Sequence, residues 1–154
     1  MLPTDFNDSA VLGAYISSLA SALNIPLQWI EVRSVGSVMR SLLSSSVAIL
    51  SIVRYPLYVN VEIPAPVTIE AMLNNSIAIN GTINFTDILI QQLSLPYVVQ
   101  SDPRIVSQLH SITIDATQVI QVTNSPTKAP SFDKSSVGLS NVEHTRNNIL
   151  ISVF

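Results

Sequence analysis

The run Ser46–Tyr55, SVAILSIVRY, constrains the fold more than any other stretch of this chain. Both of its alternating sets are apolar: Ala48, Leu50 and Ile52 on one side, Val47, Ile49 and Val53 on the other. A surface strand keeps one side polar, so this pattern belongs at a sheet centre or in a strand covered on both faces. The run is too short to cross a bilayer. Ser41–Val53 is free of charge for 13 residues before Arg54 and Pro56 interrupt it, and a spanning helix needs about 20. The chain must therefore supply flanking strands and a covering layer from its remaining residues.

Those residues divide into readable elements. Residues 9–23, SAVLGAYISSLASAL, place Leu12, Tyr15, Ile16, Leu19, Ala22 and Leu23 at helical spacing. Asn7, Asp8 and Ser9 offer caps at the start, and Asn24 and Pro26 stop the helix. Residues 27–35 read as a strand, with Trp29, Glu31 and Arg33 on one face and Ile30 and Val32 on the other. Residues 36–45 then read as the loop of an antiparallel pair. After Pro56, LYVNVEI (57–63) alternates as a further strand, with the proline marking a bulge or an edge. Two short helices are expected, one from Val67 or Thr68 with Glu70 in its first turn, the other from Asn84 or Thr86 to the residues before Pro96. Residues 97–108 read as loop, and 110–122 as a strand with a slip.

At Asn124 the composition changes to Pro, Ser, Thr and Lys. Three parts are expected: a module over 4–123, a linker or tail over 124–148, and a short β-prone segment over 149–154. Left exposed, ILISVF would be prone to aggregate, so a docked strand is one expectation for it. The order helix, strand, strand, helix, helix, strand implies an α+β fold, a small antiparallel sheet with helices packed on one face.

Composition excludes several function classes. Charged residues make up only 11% of the 154, against about 25% in an average domain. Seven Lys and Arg with a net charge of −3 cannot form the basic stripe of a nucleic-acid binder. The absence of cysteine removes disulfides, thiol catalysis and the common zinc frameworks. Acidic residues near the start and an amphipathic first apolar run do not read as a signal peptide. Four glycosylation sequons begin at Asn7, Asn74, Asn80 and Asn84. About two would follow from so many Ser, Thr and Asn, and three of the four fall within 13 residues. That clustering points to a eukaryotic exoplasmic protein.

Chemistry-bearing patterns are sparse. His110, near Asp115, and His144 are the only histidines, and the linker separates them, which does not suit a metal site. Asp102 and Asp115 lack the dense carboxylate loop of a calcium site. Glu62 and Glu70 lack a glycosidase geometry. No Gly-x-Ser-x-Gly elbow is present. No cofactor is expected. Among the aromatics, Tyr55 and Tyr58 lie in apolar sequence, while Trp29, with Glu31 and Arg33, is the candidate partner surface.

Taken together, DFNDSAVLGAYISSLASALNIP, IEVRSV, MRSLLSSSVAILSIV and ITIDATQVIQVTNSPTKAPS resemble a repeat module of large extracellular proteins of algae, diatoms and related protists. The resemblance covers about residues 4–131. Its architecture is similar to the ferredoxin-like sandwich of SEA domains of mucin-type ectodomains. It implies an extracellular or cell-surface glycoprotein module with a structural or adhesive role, and with other modules, surface proteins or glycans as partners. It also implies that the first strand of the sheet, an interior one, is missing ahead of Met1, that the chain is a fragment whose signal peptide lies upstream, and that Ile149–Phe154 is the segment available for the vacant place. Some SEA domains cut themselves at a strained Gly-Ser bond. Gly36-Ser37-Val38 matches that tripeptide, but a long loop before a strand at Ser46 would relax strain, so no self-cleavage and no enzymatic activity are expected. Two other readings are a fragment of a viral or phage structural protein and, more weakly, a small hydrolase.

Overall fold

The computed structural model describes residues 1–41, 44–55, 64–74, 84–114, 117–123 and 147–153. The expected strand 57–63, Tyr58, Glu62, Asn80, Asp115, His144 and nearly all of the linker lie outside these residues. Helix α1 spans Ser9–Leu23. Its Asp8 cap accepts from the amides of Ala10 (2.7 Å) and Val11 (3.4 Å). Asn24 closes the helix in the left-handed region, with φ 52°. This conformation suits asparagine, whose short polar side chain bonds locally.

Strand β1 spans Ile30–Ser41 and β2 spans Ser44–Arg54. Helices α2 (Pro66–Leu73), α3 (Phe85–Leu93), α4 (Pro96–Ser101) and α5 (Ile105–Gln108) follow, then β3 (Thr117–Thr123) and β4 (Asn147–Val153). The four strands form one antiparallel sheet in the order β1-β2-β4-β3. The fold is α+β, as expected.

The double-sided apolar run is β2, an interior strand. Its other neighbour is the last strand: β4 pairs with β2 from Ile49↔Val153 to Arg54↔Asn148, and with β3 from Thr117↔Val153 to Thr123↔Asn147. The β-prone tail therefore occupies an interior place in the sheet. Ile149 and Ile151 are fully buried, and Val153 nearly so. Ile30, Val53, Ile49 and Val119 lie on the same face by register. Against that face pack Tyr15, Leu19, Ile69, Leu73, Phe85 and Leu93 from the helices. Phe6 meets Tyr15 edge-on at 6.2 Å, a favoured aromatic geometry.

Several local expectations are corrected. The loop expected over 36–45 is mostly strand, with Gly36 opposite Ala48 and Ser37 opposite Val47. The strand expected from residue 27 starts at Ile30, after a 3-10 turn over Leu27–Trp29. In α1, Tyr15, Leu19, Ala22 and Leu23 are buried as expected, but Val11, Ala14 and Ser18 are buried too while Leu12 and Ile16 are only partly so, because α1 packs on α3 as well as on the sheet. Residues 97–108 hold α4 and α5 instead of a loop. Pro96 starts α4, where a missing N–H costs nothing. The strand expected over 110–122 begins only at Thr117, and His110 sits in a 3-10 turn over Leu109–Ser111. Glu70 is the fifth residue of α2, because Pro66 opens the helix, so it lies outside the first turn.

Candidate functional site

Glu70 has a structural partner. Its Oε1 accepts the backbone N–H of Val119 at 2.8 Å. Among the described residues strand β3 lies at the sheet edge, and Val119 stands opposite Ile151 of β4. The carboxylate thus occupies a main-chain donor that would otherwise invite another strand to pair there.

Asp5, Asp8, Asp102 and Arg104 gather where α1 begins. Asp5 is buried, and its Oδ2 accepts the amide of Leu2 at 2.7 Å. Its Oδ1 lies 3.5 Å from Nη2 of Arg104. Arg104 also donates from Nε and Nη2 to the two oxygens of Asp102, each at 2.8 Å, a bidentate arrangement. These bonds hold the Asp102 carboxyl below the usual range. Asp8 is held low by a hydrogen bond from Ser101 and by the Ala10 amide. Together these groups tie the entry to α1 to the α4–α5 corner. Arg104 lies 99 positions from Asp5, so no local pattern in the sequence announces their meeting.

A cavity of about 180 Å³ lies between sheet and helices, lined among others by Met1, Phe6, Tyr15, Leu89, Ile112 and Val153. Across the core, the Tyr15 hydroxyl and the Ser51 Oγ share a buried hydrogen bond at 3.1 Å. Burial pushes the Tyr15 hydroxyl up from 10.0 to about 12, although the Ser51 bond favours its ionised form. Between those values the unfolded chain loses a proton that the native state keeps, so stability falls as pH rises and the loss is complete above about pH 12. The expected loss is about 3 kcal/mol. Alkaline unfolding monitored by circular dichroism should show it. In the double variant Tyr15→Phe/Ser51→Ala, which leaves neither hydroxyl unpaired, the fall should flatten.

The candidate partner surface is only partly assembled. Glu31 pairs with Arg33 at 3.1 Å and also with Arg54, and all three side chains are half exposed. Trp29 lies in the 3-10 turn and tilts onto buried Tyr55, ring centres 5.7 Å apart. The ladder skips Arg33 at a bulge between Val32 and Ser34. A bulge interrupts the alternation on which a shared face for Trp29, Glu31 and Arg33 depended.

Of the sequon asparagines, Asn7 and Asn74 are exposed, while Asn84 is half-buried and caps α3 by accepting from the Asp87 amide at 2.9 Å. Gly36 is not in the left-handed region, and a side chain there would meet open space. Regular pairing at Gly36-Ser37 stores no backbone strain. Among the described residues, no group of three or more His, Cys, Asp or Glu is placed to hold a metal, and no helix is long and apolar enough to cross a membrane. Comparison with family models, with curated proteins and with solved structures gave no match to this chain.

Proposed function

We propose that this chain is a non-catalytic extracellular module of a larger surface protein, structural or adhesive in role, of the SEA-like kind its sequence resembles. The observation that carries the reading is the exposure of Asn7 and Asn74, two sequon positions at which a glycan would project into solvent without disturbing the core. The charged side chains support it, because Asp5, Asp8, Glu70, Asp102 and Arg104 are engaged in capping, edge protection and ion pairing. In this reading, partners are neighbouring modules, other surface proteins or glycans, and the Glu31–Arg33–Arg54 group offers them a polar contact.

The test is secretion of the chain behind a signal peptide from a eukaryotic host. The expected product is folded, with glycans on Asn7 and Asn74. Removal of N-glycans should lower its mass, and Asn7→Gln and Asn74→Gln should each eliminate one glycan. Folded protein without glycans at either position would reject the reading.

A further inference from the structure

Strand β4 is joined to β3 by far more chain than their pairing requires. Thr123 stands directly opposite Asn147, so β3 and β4 are the arms of an antiparallel hairpin. A hairpin of this kind closes with about 2–5 residues. Here 23 residues, 124–146, separate the arms. Fully extended, that many residues reach about 80 Å, well beyond the width of a four-stranded sheet, about 15–20 Å.

The strand at the end of this tether is an interior one. It fills a slot between β2 and β3, pairs along both edges, and places Ile149, Ile151 and Val153 in the core. The slot has strict chemical demands: an antiparallel strand with apolar residues at every second position. Asn147–Val153 of any copy of this chain meets them equally.

We propose that the slot between β2 and β3 accepts Asn147–Val153 from a second copy of this chain, so that copies join by exchanging β4. Every hydrogen bond and core contact of β4 is the same in the exchanged form. The choice between forms therefore rests on concentration, and such exchange is a low-cost route to dimers. A linker of 23 residues sets an effective concentration for its own strand on the order of millimolar. Copies crowded to that level exchange, whereas dilute copies close on themselves. The inference does not depend on location, glycosylation or the proposed role.

Two single-cysteine variants of the full chain test it, since the native chain contains no cysteine. Gln118 of β3 and Ser152 of β4 are register partners. Gln118→Cys and Ser152→Cys proteins are unfolded, mixed at millimolar concentration and refolded together under oxidising conditions. A disulfide between the two variants forms in register only when β4 of one copy lies beside β3 of the other. The expected result is a mixed disulfide dimer severalfold more abundant than in a mixture of separately folded proteins. Light scattering of the unmodified chain, refolded at the same concentration, covers the case in which a cysteine variant fails to fold. A dimer fraction that grows with refolding concentration is expected there. A monomer at every concentration, or cross-linking no greater than in the separately folded mixture, overturns the proposal.

Discussion

Replacing Ile151 with alanine is expected to lower the unfolding free energy by about 2–5 kcal/mol. Ile151 stands opposite Val119 on one side and Ser51 on the other, in the middle of an interior strand, and is fully buried. Removing three carbons there loses their transfer free energy and leaves a cavity between two flanking strands that are held by their own pairings. Total stability of a domain this size is typically about 5–15 kcal/mol, so one substitution near the chain's end removes a large share. Urea unfolding checks it, followed by the fluorescence of Trp29, the sole tryptophan, which packs on Tyr55. The midpoint should fall with little change in slope. Ile120, next to Val119 on β3 and on the opposite face of the sheet, is 46% exposed, and Ile120→Ala should cost less than about 1 kcal/mol. Equal costs at the two positions would mean that β4 is not an interior strand.

A larger effect is expected from moving the strand. A chain ending at Thr123 lacks the interior strand and should lose its cooperative unfolding transition. The same seven β4 residues, placed ahead of Met1 through a flexible connection of about five residues, should restore it. Met1 and Val153 line one cavity, so a short connection between them spans little distance, and residues 124–146 are dispensable in this arrangement. Far-ultraviolet circular dichroism and urea unfolding of the truncated and rearranged chains give the comparison. A rearranged chain as disordered as the truncated one would refute it.

The span of helix α1 was legible, because its determinants are local: the Asp8 cap, helical spacing of apolar residues, and the Asn24 stop; the exact buried stripe was not, since it depends on where α3 packs. The interior position of β2 was legible because both of its alternating sets are apolar, Ile49 and Val53 being buried under the helices and Ala48, Leu50 and Ile52 half-buried on the other face. The partner strand was less so. ILISVF announced a strand, but its seat between β2 and β3 depends on pairings more than 90 residues apart with β2. Prolines misled where their position within a helix mattered. Pro96 reads as the stop of the helix before it and Pro103 as a mark of loop over 97–108, yet Pro96 initiates α4. Gly36 lies in the stretch between two apolar runs that reads as loop, yet it sits in regular pairing opposite Ala48. The Asp5–Asp102–Arg104 group and the Glu70 bond to β3 were not legible at all, since only the tertiary fold brings those side chains together.

The interior seat of β4 also has a consequence for synthesis. A ribosome adds about 5–20 residues per second, so β4 is complete about 1.5 to 6 seconds after β3. Throughout that interval β2 and β3 lack the neighbour that each will share, and two unpaired backbone edges with an apolar floor between them are open to any extended peptide nearby. The β1–β2 hairpin and the helical layer can form during translation, but the sheet cannot close until Asn147–Val153 has been made. A chaperone that binds extended apolar segments would have its target in that short period and lose it once Ile149–Val153 arrives.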